Sequence, residues 1–425
     1  MKPLDDVKVV DLSRVLAGPW AGQLLADLGA EVIKVERPGV GDDTREWGPP
    51  YADSPEAEAP GESAYFLSAN RGKLGIAVDF TTEAGRKVIE QLVAQADVVL
   101  ENFRVGHLAK YGLDYASLAK VKPDIIYCSI SGFGQTGPYA LRPGYDFIVQ
   151  GLGGLMSVTG VADGQPGGGP LKAGVALTDI MTGLYAASAV LAALHHRNRT
   201  GLGQHIDIAL LDVQVATLAN QALSYLVSGR SPERIGNDHP SIVPYRTFDA
   251  LDEPFNIAVG NDAQFVKVCN ILGLDSLGAD PRFSSNAARV RHRGELVPLL
   301  QGALATRPAA EWLNLLKTGG VPAGPINSLK AVFDDPQVKH RGTRIDLPHK
   351  TLGTAPGVAC PVRFSQAEVG SKISAPVLGE HTIAILQGRL KLSQAEIDAL
   401  IAAGAVAAHP EYLDVDKTRA TQTAE

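Results

Sequence analysis

The sequence predicts an α/β protein with an open, mostly parallel sheet, and a smaller α+β domain in the second half of the chain. Three observations predict it. Through the first half, short apolar runs alternate with helical patterns, as in a sheet whose strands are joined by crossover helices. Near Thr217 that alternation stops, and polar turns, short strands and three helical stretches follow. A chain of 425 residues is long enough for two hydrophobic cores.

Residues 7–12 read as the first strand. The loop SRVLAGPW follows, then a helical pattern over about 21–28 and a strand over 31–35 closing on Glu36-Arg37-Pro38. A βαβ unit closed by an acid invites a dinucleotide reading. The loop argues against it: Gly18 and Gly22 flank Pro19 and Trp20, and there is no G-x-G-x-x-G to let backbone approach a pyrophosphate. A ligand phosphate is still free to meet the helix N-terminus or a basic side chain such as Arg37. Residues 39–61 are polar and rich in Pro and acids, and read as a mobile surface loop.

Asn70-Arg71-Gly72-Lys73 leads into a strand over 74–80, a helix over 83–95, a strand over 98–100 and the loop ENFRVG. A further strand over 125–130 is closed by SGFGQTGPY. Ligands of such sheets bind beyond the carboxyl ends of the strands. Asn70, Lys73, Asn102, Phe103, Arg104 and the run from Gly132 to Tyr139 lie at these ends. Recurring basic residues there suit a ligand with several phosphates. Taken singly, Lys73 or Arg104 reads first as a solvated charge, and SGFGQTGP as a turn.

Residues 180–194 are almost all small or apolar, which predicts a helix buried all round. His195, His196, Arg197 and Arg199 complement its negative end, and Gly201 supplies a left-handed cap. A strand over 204–211 follows, alternating Ile206, Ile208 and Leu210 with more polar neighbours. Asp179 is the one acid between Asp163 and Asp207, and it sits where a Gly- and Pro-rich run enters the helix. Two readings stay open at this point: a helix cap, or a carboxylate in a partly dry pocket serving as a nucleophile.

Residues 225–330 form the expected smaller domain, with the short strands SIVPYRTF and FNIAVG and helices over 263–272, 289–304 and 309–316. After Asp334 the chain is rich in loops and strands, and an amphipathic helix over about 393–403 precedes a polar, loosely held tail beyond His409. No internal repeat is present.

Hydrophobic residues at 45% and charged residues at 20% describe a soluble globular protein, and a net charge of −7 argues against nucleic acid or an anionic membrane as the main partner. Cys128, Cys269 and Cys360 are odd in number and without a CxxC pair, which fits a reducing compartment and offers no metal spacing. No leader or membrane-length apolar run is read in the sequence, so the expectation is a cytoplasmic protein.

RVLAGPWAGQLLADLGAEVIKVERPGVGDDTR, NRGKLGIAVDF, ENFRVG, SGFGQTGPY, RPGYDFIVQGLGG, PLKAGVALTDIMTGLYA, RTGLGQHIDIALLD, GVPAGPINS and LGEHT, in that order, resemble the family III CoA-transferases. GDDTREWGPP and HPSIVPYRTF are most similar to its succinyl-CoA–dicarboxylate branch, including the glutarate-type transferases. The resemblance implies a Rossmann-like domain built from residues 1–224 and 331–425 around the smaller middle domain, and an interlocked homodimer. It implies Asp179 as the nucleophile, passing through aspartyl-anhydride and aspartyl-CoA thioester intermediates. It implies CoA contacts at Val15, Leu16, Ala17, Arg37, Lys73, Asn102, Phe103, Arg104, Lys110 and Arg142, with Arg37 and Lys73 meeting the nucleotide phosphates. Coenzyme A enters as substrate and product; neither a metal nor a prosthetic group is required. The partners implied are an acyl-CoA and a small carboxylic acid.

Two departures qualify the resemblance. The consecutive glycines that close over the site in the formyl-CoA branch are replaced by AVGNDAQF, which puts formyl/oxalate chemistry in doubt. The racemase branch has a His–Asp pair where this chain has Tyr145-Asp146, and Tyr145 is a poor second acid/base near neutral pH. Transferase therefore ranks above racemase or epimerase, above a non-catalytic CoA-binding protein, and far above an NAD dehydrogenase. Tyr145, His239 and Arg246 are the candidates for the acceptor pocket, because a guanidinium matches a carboxylate in two-point geometry; a surface position for Arg246 is equally open.

Overall fold

The structure, a computed structural model, describes residues 1–52 and 61–410. From residue 411 on, the expected tail lies outside the described residues. Two compact units are present. The larger comprises Met1–Leu155, Ala173–Ala222 and Gln337–Glu425, and the smaller Met156–Lys172 and Leu223–Pro336.

The larger unit holds a seven-stranded sheet: β1 (Lys8–Asp11), β2 (Glu31–Glu36), β3 (Lys73–Val78), β4 (Val98–Glu101), β5 (Ile126–Ser131), β6 (Gln204–Ala209) and β7 (Val406–Ala407). Their spatial order is β7-β3-β2-β1-β4-β5-β6. Every neighbouring pair is parallel except β7, which runs antiparallel to β3. Successive strand residues face opposite sides. Val9 joins a core with Leu25, Val32, Ala186 and Val190, while Val10 joins one with Val35, Ile89, Ile385 and Ile397. Because both faces are covered, β1 to β5 are buried along nearly their whole length, Lys34 and Lys73 included, while the edge strand β6 keeps an alternating pattern.

Four helices matter for the site: α1 (Ala17–Asp27), α2 (Glu83–Val93), α3 (Asp146–Leu152) and α4 (Leu177–Thr200). α1 starts four residues before the sequence pattern suggests, with Pro19 in its first turn. A missing N–H is harmless there because the first turn has no intrahelical acceptor for it.

Three expectations are corrected. α4 is not buried all round: Ala186, Ala187 and Val190 are fully buried, but Leu184 and Tyr185 are 38% and 46% exposed. By length and apolar composition alone it is also long enough to cross a membrane, and 44% of its most apolar stretch is buried inside the protein. The described part of residues 39–61 is not a free surface loop. Asp42 and Thr44 are buried, and Arg45 chelates Glu36 through Nε and Nη2 (both 2.8 Å), bonds Glu62 (2.9 Å) and stacks 3.7 Å from the Phe66 ring centre. Of the acids that suggested a solvated loop, Asp42 is the partner of the buried Lys34 (2.8 Å), while Arg45 is held by Glu36 and Glu62 from either side of the stretch. Finally, residues 156–172 group with the smaller unit, where Gly236 N–H donates to Gly160 O (3.0 Å) and Arg234 pairs with Asp163.

The smaller unit has a three-stranded antiparallel sheet, with Pro254–Ala258 between Tyr245–Asp249 and Ala323–Pro325. Its core holds Phe248, Phe255, Phe265, Phe283, Leu296, Leu300 and Trp312.

Candidate active site

The strand order reverses direction between β1 and β4, and the carboxyl ends of two such strands open a crevice where ligands of open α/β sheets bind. The loop after β1 is fastened to the loop after β4: Arg14 N–H donates to Asn102 Oδ1 (2.8 Å), and Asn102 Nδ2 donates to Arg14 O (2.6 Å). A cavity of about 300 Å³ lies at the ends of β1 to β4, walled by Leu12, Val35, Arg37, Val78, Phe80 and Phe103. Phe103 stacks on His107 with ring centres 5.4 Å apart.

Several residues expected at a CoA site meet here. Val15 lies in the first loop, Leu16 and Ala17 are buried at the start of α1, and Asn102 and Phe103 edge the crevice. Arg37 is exposed on the cavity wall and, among the described residues, has no ion pair. Arg104 and Lys110 are exposed, Arg104 on a second cavity of about 280 Å³ shared with Glu101, Ser129 and His205. Arg142 is also exposed, its guanidinium 3.8 Å from the Tyr139 ring centre. Lys73 is a correction. Its side chain is fully buried, and its ammonium donates to Asp11, Pro19 O and Asn70, each at 2.9 Å. With three partners and no exposed surface it supports the sheet from within and does not reach a phosphate.

Asp179 is the third residue of α4. The backbone that brings its neighbours together needs two glycines: Gly132, just after β5, and Gly144, just before α3, pass so closely that a Cβ on either would lie 2.6 or 2.3 Å from the other's Cα. That contact sets Asp146 at the start of α3 against the start of α4. Asp146 Oδ2 accepts the N–H of Thr178 (2.8 Å) and of Asp179 (3.2 Å), while Oδ1 accepts Gln150 Nε2 (2.6 Å). Gln150 Oε1 in turn accepts the N–H of Ala173 (2.8 Å), and Thr178 Oγ1 donates to Gln214 (2.6 Å).

This bears on the cap reading of Asp179. Ala176 at the N-cap makes no side-chain bond, and the orphaned N–H groups are taken by Asp146 from another helix. Asp179 is not the cap. Among the described residues nothing donates a hydrogen bond to its carboxylate, and burial together with the charge of Asp146 pushes its carboxyl up to about 7. The group is half-buried, neutralised easily and held by a helix it does not have to cap. Tyr65, on the helix Ala64–Asn70, shares the same field: burial and the charges of Asp179, Asp146 and Asp42 push its hydroxyl up to about 12, so it remains a hydrogen-bond donor.

Residues 4–382 match the model of CoA-transferase family III. The chain belongs to CoA-transferase family III. It is similar to the succinate–glutarate CoA-transferase of Agrobacterium fabrum, 51% identical over 90% of this chain and 95% of that one. It is similar also to the succinyl-CoA:glutarate CoA-transferase of Mus musculus, 46% identical over 96% and 91%. The crystal structure of a CAIB/BAIF family protein from Brucella suis superposes with a TM-score of 0.81, at 52% identity, covering 91% of this chain and 99% of that one.

As a family III CoA-transferase this enzyme acts on CoA thioesters. Of the acceptor-pocket candidates, Tyr145 is exposed beside Asp146 in the larger unit. His239 and Arg246 belong to the smaller one, where His239 packs on Tyr245 (5.2 Å between ring centres) and Arg246 pairs with Asp238 (3.2 Å). The segment AVGNDAQF in this transferase ends in a capped helix: Asn261 Oδ1 accepts Gln264 N–H (2.9 Å), and Gln264 Oε1 accepts Gly260 N–H (2.8 Å). Sequence reasoning missed Asp146, Gln150, Tyr65 and Asp42 as site residues. The i, i+4 spacing of Asp146 and Gln150 was a visible signal; Tyr65 carries none in the linear chain.

Proposed function

We propose that this enzyme moves CoA from succinyl-CoA to a dicarboxylate of the glutarate type, with Asp179 as the covalent nucleophile. The observation carrying the mechanism is Asp179 itself: a carboxylate in a drying environment, unengaged by hydrogen bonds among the described residues, on a rigid helix start. The substrate class rests on the glutarate transferases to which the chain is 46–51% identical.

The steps need no external acid or base. Asp179 attacks the thioester carbonyl, the C–S bond breaks, and CoA leaves as thiolate, giving an aspartyl-succinyl anhydride. The thiolate attacks the aspartyl carbonyl, releasing succinate and leaving an aspartyl-CoA thioester. The acceptor carboxylate then attacks this thioester, the thiolate departs, and its return to the acceptor carbonyl yields the new acyl-CoA and free Asp179. Charge moves between carboxylates and thiolate without a net proton, which suits a nucleophile with no neighbouring base. Desolvation raises the reactivity of the carboxylate and keeps water from the anhydride. Arg37, with Arg104, Lys110 and Arg142, supplies exposed cations for the nucleotide phosphates, and Phe80 and Phe103 supply apolar wall for the base. The working form is a homodimer: exposed Leu184 and Tyr185 in the larger unit and Leu226 and Val227 in the smaller need covering.

Intact-protein mass spectrometry tests the reading. Wild type and Asp179→Asn are each mixed with succinyl-CoA, then with hydroxylamine. A hydroxamate at Asp179 in the wild type and none in the variant is the expected result. No adduct, with exchange of the α-proton of a branched acyl-CoA instead, would sink the transferase mechanism.

A further inference from the structure

In the loop joining β1 to α1, Val15 has φ +69°. A β-branched residue in the left-handed region is a backbone outlier, and such strain persists only where the surroundings impose it. The surroundings are explicit. Val15 N–H is shared between both carboxylate oxygens of Asp42, at 3.2 and 3.3 Å. Asp42 is 1% exposed and is fixed from every side: Oδ1 accepts Thr44 N–H (3.0 Å) and Thr44 Oγ1 (2.8 Å), Oδ2 accepts Lys34 Nζ (2.8 Å), and its own N–H donates to Glu36 Oε1 (3.0 Å). Lys34, fully buried, also donates to Ser13 O (3.0 Å). Two residues before Ser13, Asp11 accepts Ser13 N–H (3.0 Å) and binds the buried Lys73.

Every backbone polar group of this turn from Ser13 N to Val15 N therefore has a partner: Asp11, Lys34, Asn102 twice, then Asp42. Burial alone would raise the Asp42 carboxyl, but the Lys34 ammonium and the Thr44 donors outweigh it and bring it down to about 2. The anchor thus stays charged throughout the working pH range.

We infer that Asp42, held by Lys34, is a positioning residue that locks the β1–α1 loop in its strained, ligand-ready shape around Val15. It touches no reacting atom. The inference rests on the reading of this loop as part of the acyl-CoA site, which its place at the strand-order reversal supports independently.

Rescue separates positioning from ordinary structural support, since glycine populates positive φ without strain. Asp42→Asn is expected to raise the Kd for free CoA and the KM for succinyl-CoA about tenfold, with kcat changed less than about twofold. Val15→Gly in that background is expected to return both values to within about threefold of wild type. CoA binding is measured by titration calorimetry and KM by steady-state kinetics on the full-length protein. If wild type binds CoA and Asp42→Asn binds it equally well, or if Val15→Gly gives no rescue, the positioning role is wrong while the functional reading stands. If wild type does not bind CoA, the functional reading falls and takes this inference with it. If Asp42→Asn alone is insoluble, the double variant decides: soluble protein with near-native CoA affinity supports the role, and an insoluble or CoA-blind protein overturns it.

Discussion

At the scale of single residues, the pair Asp146–Asp179 divides two jobs that one acid at a helix start is often assumed to combine. Asp146 binds the helix N–H groups and keeps its charge occupied; among the described residues Asp179 has no donor, and its carboxyl is pushed up to about 7. Nucleophilic attack needs the ionised form, so kcat/KM of the free enzyme should rise with pH along an acid limb centred near 7. Burial is the larger cause of that position and the charge of Asp146 the second. Asp146→Asn removes the like charge and keeps one oxygen for the N–H groups of α4, so the limb should move down by roughly one pH unit. It should stop short of the ordinary carboxylate value, because burial remains. A profile of kcat/KM against pH for both proteins checks this, and a limb that stays put would show that the two carboxylates are not coupled. Asp179 was legible in the sequence as a solitary acid at a helix entry. Its partner was not, because two positions 33 apart in sequence meet only through the contact of Gly132 with Gly144.

Among elements, the contact of α1 with α4 joins the loop of Val15 to the helix of Asp179. Gly183 makes this approach possible: a Cβ there would lie 2.7 Å from Ala17 O and 3.0 Å from Trp20 Cβ. Alanine is the better helix former by up to ~1 kcal/mol, yet the obstacle is backbone and cannot rotate away. Overpacking of this kind costs about 1–3 kcal/mol, so Gly183→Ala should lower the melting temperature by several degrees and raise the KM for the acyl-CoA by displacing Ala17. A rise in melting temperature would mean that propensity outweighs packing and that the helices can separate freely. The elements themselves were largely readable, since strands buried on both faces leave continuous apolar runs and α4 carries its own stop signal at Gly201. What stayed hidden was pairing over distance. Lys73, read as a phosphate contact, serves Asp11 and Asn70 inside the sheet, and Asp42, in a stretch read as solvated, neutralises the buried Lys34. Charge in a sequence signals surface until a buried partner is known, and these partners come from a strand, a helix end and a loop.

For the whole molecule, the exposed apolar residues state a requirement that the single chain does not meet. The helix pattern of α4 predicted burial on all sides, and the chain alone provides it on one; in the smaller unit Leu226 and Val227 remain 71% and 84% exposed. Isolated exposed apolar residues are ordinary, but consecutive ones on a helix signal a covered surface. A second copy is the covering proposed above, and light scattering coupled to size exclusion should then give twice the 44.7 kDa of the chain, unchanged on dilution and at high salt because the contact is apolar. Val227→Asp makes the argument sharp. On a solvent-facing helix the change should cost no more than about 0.5 kcal/mol. Beneath a partner it buries an unpaired carboxylate, which costs several times more, so the variant should lose dimer mass or melt at least several degrees lower. A variant with wild-type mass and melting temperature would place Val227 in water and remove the smaller unit's share of the interface, leaving Leu184 and Tyr185 on α4 as the surface to test next.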